Sequence, residues 1–288
     1  MAWNLDGRVA LITGAASGIG AELARRLAAR GMRLALIDID GERLEAVAAG
    51  LRGAETAVAD VRDDASVRAA VDELAARWGG IDVAVANAGI AAGGPLRLLE
   101  DQTVEDVIDV NLLGVWRTVR ASLPHIVPRR GHLLLIASAA AVFSGAGLGA
   151  YSASKAGVEA LGRTLRIELR PHGVSVGVAY YLFLDTPMVQ AGEDSPIFQA
   201  SRGRMPSAIG RTRPLEPAID VTVAGIERRS RWVVYPRFLV PMMFLRGVLD
   251  NALSDRLAGE GVPEMERLFA QEAERIGAEA AARGIGRQ

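Results

Sequence analysis

The sequence predicts an α/β fold: one doubly wound domain with a central parallel sheet, helices on both of its faces, and a C-terminal helical extension. Three observations predict it. Short aliphatic and β-branched runs alternate with amphipathic stretches over residues 8–180. Those runs are apolar at nearly every position, as in strands buried on both faces, rather than at every second one. No Pro-, Gly- or Ser-rich linker interrupts residues 1–180, so no domain boundary is expected there.

The elements follow in order. Residues 8–13 (RVALIT) read as a first strand. A glycine-rich turn leads into an amphipathic helix over 18–30, with Gly31 placed to end it. A second strand is predicted at 33–38, a helix at 41–51, a strand at 55–59, a helix at 64–78 and a strand at 81–86. A long helix over about 103–122 precedes a strand at 132–137, a helix over about 152–169 and a strand at 174–180. Residues 187–215 carry four prolines with scattered Gly, Ser and Arg, and read as a long loop with short helical pieces. Loops of that length in compact domains are usually functional or disordered. A helix at about 217–229 and a strand at 231–235 restore the pattern and complete a domain over 1–237. The extension, 238–288, joins an apolar run (Phe238 to Leu249) to a charged amphipathic helix near 263–283. Three fates are open for it: packing on the core, closing over a site, or a subunit contact.

Composition narrows the function. The 288 residues are 50% hydrophobic and 23% charged, which is globular rather than disordered. The net charge is -1 and no dense Lys/Arg block occurs, so no nucleic-acid partner is expected. Without cysteine there is no disulfide, thiolate nucleophile or Cys-ligated zinc. His125, His132 and His172 show no metal-ligand spacing, and no metal is expected. Asp63-Asp64 and Glu100-Asp101 read as helix N-terminal charges. Met1 to Arg8 does not read as a secretory signal, and apolar runs fall short of the ~18 residues of a spanning helix, so a cytoplasmic protein is expected.

The chemistry begins at Thr13-Gly14-Ala15-Ala16-Ser17-Gly18-Ile19-Gly20, between the first strand and helix. Glycine at 14, 18 and 20 lets the backbone turn tightly and approach a pyrophosphate, whose charge then faces the helix N-terminus. Alone, such a loop can be a plain strand-to-helix turn. Asp38 supplies context: at the end of the second strand it can accept hydrogen bonds from ribose hydroxyls. A 2′-phosphate there would meet like charge, and no Lys or Arg stands at 15–17 or 39 to attract one, so NAD is the expected cofactor.

The glycine spacing resembles that of the short-chain dehydrogenase/reductase family, and further motifs follow in order over about residues 5–235. Asp60-Val61 looks like the pair that flanks adenine. Asn87-Ala88-Gly89 resembles the Asn-Ala-Gly that stabilises the sheet beside the cofactor. Asn111, Ser138, Tyr151 and Lys155 resemble the catalytic set, and Asp185-Thr186 the segment that touches the nicotinamide carboxamide. The resemblance implies a Rossmann-like domain with a seven-stranded sheet, transfer of the pro-S hydride, a homodimer or homotetramer, and a water held at Asn111 that links Lys155 to solvent.

Interconverting an alcohol and a ketone needs a proton removed from the alcohol or given to the alkoxide. Tyr151 can do either, but a free phenol has a pKa of about 10, too high for an efficient base. Lys155, four residues on, shares its helix face, and a nearby ammonium is expected to lower that pKa. Ser138 can hydrogen-bond the substrate oxygen. Alone, Tyr-x-x-x-Lys is more often helix decoration; beside Ser138 and the glycine loop it reads as a catalytic pair. A small-molecule alcohol or ketone, hydrophobic and cyclic, is the expected substrate. The rival readings are an NADPH-dependent carbonyl reductase, a catalytically silent dinucleotide-binding scaffold or sensor, and an interaction module acting through the C-terminal tail. One departure stands out: Tyr181 and Leu182 occupy the place of the family's usual Pro-Gly, and Leu adopts positive φ less readily than Gly.

Overall fold

The computed structural model describes residues 2–249 and 251–284. β1 (Val9–Thr13), α1 (Gly18–Ala28), β2 (Arg33–Asp38), α2 (Gly41–Ala48), β3 (Ala54–Val58), α3 (Asp64–Trp78) and β4 (Val83–Ala86) form the first half. In the second half α4 (Asp101–Ile108) and α5 (Gly114–Ile126) are joined through a π-helical turn at Asp109–Leu113. β5 (His132–Ile136), α6 (Gly149–Glu168) and β6 (Ser175–Tyr181) follow. Then come α7 (Pro187–Glu193), α8 (Pro196–Gly203), α9 (Ser207–Gly210), α10 (Leu215–Glu227) and β7 (Trp232–Tyr235). The chain continues through α11 (Leu239–Leu249), α12 (Ala252–Gly259), α13 (Val262–Ile276) and α14 (Ala278–Arg283).

The seven strands pair in parallel in the order β3-β2-β1-β4-β5-β6-β7. Successive strands move outward from β1 in one direction and from β4 in the other. The two halves part at the carboxyl ends of β1 and β4, where an open α/β sheet leaves a crevice for a ligand. Along β1 the side chains alternate between two cores. Leu11 packs with Val71 and Leu74 of α3, Val115 and Val119 of α5, and Val158 of α6. Ala10 and Ile12 pack with Leu23 and Leu27 of α1 and with Ile219 and Val223 of α10. Both faces are buried, which explains the nearly uninterrupted apolar strands.

Three segments differ from expectation. Residues 187–215 are mostly helical, because the prolines start helices: Pro187 and Pro196 occupy first-turn positions behind the capping side chains of Thr186 and Ser195. Pro206 and Pro214 stand at the N-caps of α9 and α10. The long helix expected over 103–122 runs from Asp101 to Ile126 with the π turn inside it. The single helix expected at 263–283 is broken at Gly277, whose φ is +88°. Among the described residues no helix is long and apolar enough to cross a membrane.

Candidate active site

A cavity of about 600 Å³ runs along the carboxyl ends of the central strands. Its floor is set by contacts between β1 and β4. The Asn87 side-chain amide donates to the carbonyls of Thr13 (3.0 Å) and Gly14 (3.0 Å), and its backbone N–H donates to Thr13 Oγ1 (3.2 Å). Gly14 sits at φ +68°, and a Cβ there would lie 2.7 Å from Ala88 Cα. Glycine is therefore required both by the conformation and by the approach of the neighbouring strand. Ser17 is the N-cap of α1 and makes no side-chain capping bond. Ser17, Gly18 and Ile19 line the cavity at the start of α1, where the unpaired first-turn N–H groups of a helix suit a pyrophosphate. Gly20 lies behind that wall, where a Cβ would meet the Gly14 carbonyl.

Asp38 ends β2 facing this loop. Its Oδ2 accepts from the Ala16 N–H (2.9 Å) and its Oδ1 from the Asp40 N–H (3.0 Å). These bonds fix the carboxylate and use about half of its roughly four acceptor positions, leaving room for a ribose diol. Asp60 and Val61 also line the cavity. Arg62 grips Asp60 through Nε and Nη2 and holds its carboxyl below the usual carboxylate range. The glycine cradle, the exposed helix N-terminus and the carboxylate at the end of β2 fit a dinucleotide.

The proton-handling groups lie where α6 meets β5. Tyr151 is in the first turn of α6, and Lys155 is one turn on. Ser138, after β5, accepts from the Ala140 N–H at 3.1 Å and lies near enough to Tyr151 for its hydroxyl to favour the phenolate. The Lys155 ammonium donates to the Ile136 carbonyl at 3.1 Å and lies 5.7 Å from the Tyr151 ring centroid. Burial pushes Lys155 down to about 8. The expected lowering of the Tyr151 pKa is not found: burial raises it, and the opposing pull comes from the Ser138 hydroxyl. Drawing the phenolate away from water costs more than the neighbouring Ser138 hydroxyl repays.

Asn111 is fully buried in the π turn, behind the cavity wall rather than on it. Its Nδ2 donates to the Ile90 carbonyl (2.9 Å) and to Ser154 Oγ (3.2 Å), and its Oδ1 accepts from the Ile90 N–H (2.8 Å). The amide is thus occupied in fixing the chain beside Gly89. A Cβ on Gly89 would lie 3.0 Å from Asn111 Oδ1 and 3.4 Å from Lys155 Nζ, so all three converge.

Thr186 lines the cavity and closes against Gly18, but Asp185 is exposed and accepts from Gln190 at 2.7 Å. Tyr181 and Leu182 cause no backbone distortion. Leu182 is absent from the residues with positive φ, and its N–H donates to the Tyr235 carbonyl at 3.2 Å. Tyr181 hydrogen-bonds Thr222 through its hydroxyl, and both Tyr181 and Leu182 contribute to the cavity wall. Beyond Ser138 and Tyr151 that wall is mainly apolar, with Phe143, Leu148, Phe183, Phe198 and Met242, and also carries Ser144 and the Asp106–Arg283 pair. Sequence reading missed Arg62, Ile90, Asp106, Val110 and Arg283 on the cavity wall. Ile90 was findable, since it follows Asn87-Ala88-Gly89 directly; Arg283 carried no signal.

His132 is buried against Ser175 Oγ (2.8 Å) and pushed down to about 3, so it is neutral. No cluster of His, Cys, Asp or Glu among the described residues suits a metal.

The family model described as short chain dehydrogenase matches residues 8–196. The (-)-trans-carveol dehydrogenase of Rhodococcus erythropolis is 38% identical over 206 residues, covering 65% of this chain and 74% of its own. The D-threitol dehydrogenase of Mycolicibacterium smegmatis is 37% identical over 210 residues, 71% of this chain and 81% of its own. A short chain dehydrogenase/reductase from Burkholderia phymatum in complex with NAD superposes with a TM-score of 0.73 at 27% identity, over 86% of this chain and 95% of that one. A short chain dehydrogenase from Burkholderia cenocepacia in complex with NADP gives 0.72 at 32% identity, over 80% and 97%.

Proposed function

Because the chain belongs to the short-chain dehydrogenase/reductase family of NAD(P)-dependent oxidoreductases, we propose that it interconverts a secondary alcohol and a ketone on a hydrophobic, cyclic substrate, with NAD as cofactor and Tyr151 as the acid/base. One observation carries this reading. Ser138 and Tyr151 line the same cavity as the glycine loop (Gly14, Ser17, Gly18) and the apolar residues Phe143, Leu148 and Phe198.

NAD, when bound, supplies the hydride acceptor and, when reduced, the donor. The remaining work falls to this chain. Ser138 Oγ donates to the substrate oxygen and holds it beside Tyr151. Tyr151 Oη takes the proton from the alcohol, or gives one to the developing alkoxide. Lys155, with a pKa of about 8, can exchange a proton near working pH and resupply Tyr151. Asn111 positions Ile90 and Ser154, and Ser154 in turn donates to the Tyr151 carbonyl at 2.7 Å. The proposed cofactor contacts are Gly14, Ser17, Gly18, Ile19, Asp38, Asp60, Val61, Asn87, Ala88, Gly89, Tyr151, Lys155 and Thr186 along the cavity, with Gly20 shaping the loop from behind.

Asp38 supports NAD over NADP, since a 2′-phosphate would meet a carboxylate with no basic residue at 15–17 or 39. The apolar walls support a cyclic apolar substrate such as a terpenoid alcohol, in line with the name of the Rhodococcus relative, over a polyol such as the Mycolicibacterium relative's. We also propose a cytoplasmic homodimer or homotetramer. Exposed Leu113 and Trp116 before and on α5, and Ile167 on α6, support the self-association. The test is to supply NAD with a panel of secondary alcohols, including cyclic terpenoid and steroid alcohols, polyols and hydroxy acids, and follow NADH. Turnover confined to polyols or charged acids overturns the substrate reading; no turnover in either direction with any member overturns the activity.

A further inference from the structure

α11 is apolar on two opposite sides. On its inner side Leu239 is 2% exposed, Met242 and Met243 pack on the core, and Leu239 and Met242 line the cavity. On its outer side Pro241, Phe244, Leu245 and Val248 recur at the spacing of one helix face, and all four are exposed. Phe244 is 70% exposed, Leu245 52% and Val248 72%. A helix apolar all round is normally buried all round, and contiguous exposed apolar patches usually mark a contact surface.

Within residues 228–249 the charges are of one sign. Residues 228–249 contain five arginines, at 228, 229, 231, 237 and 246, and neither Asp nor Glu, in a chain whose net charge is -1. Arg229 is turned inward onto backbone carbonyls, and Arg246 pairs with Glu159 at 3.1 Å. Arg231 and Arg237 are exposed. Arg231 stacks on Trp232 at 4.9 Å, and Trp232 meets the Phe244 ring edge-on at 5.6 Å, so a cation borders the apolar face directly.

We propose that the outer face of α11 docks on the surface of an anionic lipid bilayer, with Phe244, Leu245 and Val248 in the headgroup–acyl boundary and Arg231 and Arg237 among the headgroups. Aromatic and aliphatic side chains bordered by arginine are the composition of helices that lie in that interface. The helix is too short to span, which leaves it lying on the surface. Pairing with a second copy through this face would bring two arginine-bordered patches together without an acidic residue from 228–249 to compensate, which favours lipid as the occupant. The cavity lies on the inner side of the same helix, roughly 10 Å away. An apolar alcohol dissolved in the bilayer would then sit beside its binding site, a consequence that rests on the proposed substrate class, whereas the docking does not.

The test is co-sedimentation of the full chain with vesicles of phosphatidylglycerol and phosphatidylcholine, or of phosphatidylcholine alone. Binding to the anionic vesicles is expected, weakened by salt. Phe244→Ser/Leu245→Ser/Val248→Ser should lower the partition coefficient roughly tenfold or more. Arg231→Gln/Arg237→Gln should lower it on anionic vesicles only. Far-ultraviolet circular dichroism and turnover of a small soluble alcohol should match wild type in both variants. Wild-type protein that stays in the supernatant with anionic vesicles overturns the proposal, as does a triple variant that binds them undiminished. A triple variant that leaves vesicle binding intact but lowers the molar mass in light scattering assigns the face to a second copy. Vesicle binding is read without turnover, so failure of the catalytic reading leaves this result standing.

Discussion

Tyr151 and Lys155 are shifted in opposite senses by the same cause, since burial disfavours the charged form of each. Tyr151→Phe keeps the ring and removes the transferable proton, so turnover should fall by about 10²–10⁴-fold with NAD affinity nearly unchanged. Steady-state kinetics beside cofactor titration check this, and more than a tenth of wild-type turnover would reassign the acid/base. Lys155 carries a stability cost. Below about pH 8 it is charged in both folded and unfolded chains, and burying that charge costs the fold roughly 3 kcal/mol. Between about 8 and 10.5 the unfolded chain binds more protons, so stability rises with pH through that window and the cost vanishes above it. Lys155→Met forfeits the bond to Ile136, worth about 1 kcal/mol, yet should still melt a few degrees above wild type at pH 7 while losing turnover. Thermal melts without NAD should show the gap closing towards pH 10; a gap that does not change with pH contradicts the assignment. At Asp38, repulsion of a 2′-phosphate should favour NAD over NADP by roughly 10²-fold in kcat/KM. Asp38→Ala should erase most of that preference; equal efficiencies in the wild type would mean the ribose end is misread. The type and position of these side chains were legible in sequence because each sits at a fixed place relative to a strand end. The balance of burial against hydrogen bonding at Tyr151 was not, because it depends on how much water the folded walls exclude.

At the scale of elements, the pattern located every strand to within two residues at either end; most are buried on both faces and leave an apolar run, while the edge strand β3, half-exposed with Glu55 and Thr56, does not. Periodicity failed where one residue type has two uses. Proline breaks a helix in its interior but suits its first turn, and Thr186-Pro187 and Ser195-Pro196 are caps followed by starts. The π turn at Asp109–Leu113 left no mark in the pattern, because the inserted residue is absorbed within one continuous helix. It nonetheless sets the site, since it holds the Asn111 amide against Ile90 and Ser154. Tyr181-Leu182 was legible as a departure; the added apolar wall expected of it is present, and only the expected change of backbone is not found. The strand simply continues, Tyr181 anchors to Thr222 on α10, and Leu182 adds apolar wall where a distorted backbone was expected.

Over the whole molecule, two cores share the sheet between them, and a third lies apart from it. Ile197 and Phe198 of α8, Met265 and Phe269 of α13, and Ala281 and Ala282 of α14 form a cluster with no strand residue. Of this cluster Phe198 lines the cavity, and Arg283 at the end of α14 lines it as well. The Gly93 N–H donates to the Ala282 carbonyl at 3.1 Å, Arg283 reaches Asp106 at 2.6 Å, and Arg97 grips Glu266 through two bonds of 2.6 Å. Gly94 makes way for the Phe269 ring, since a Cβ there would lie 2.5 Å from it. The sequence left core packing, lid and subunit contact open for the extension because an apolar run looks the same in all three. In the structure α11 packs on the core through Leu239, while α13 and α14 pack on α8, whose Phe198 lines the cavity. Removal should therefore begin after residue 261, because cutting at 238 would strip Leu239 from the sheet core. The shortened chain should keep both sheet cores and bind NAD. It should raise KM for bulky apolar alcohols by roughly 10-fold or more, the scale of losing one or two apolar contacts, and leave KM for small alcohols within about twofold. Phe269→Ala should move the same ratio in the same direction by a smaller amount. Measuring both KM values beside an NAD titration separates the cases: a uniform rise accompanied by weaker NAD binding would mean α13 and α14 support the whole site, and an unchanged ratio would mean they contribute packing alone.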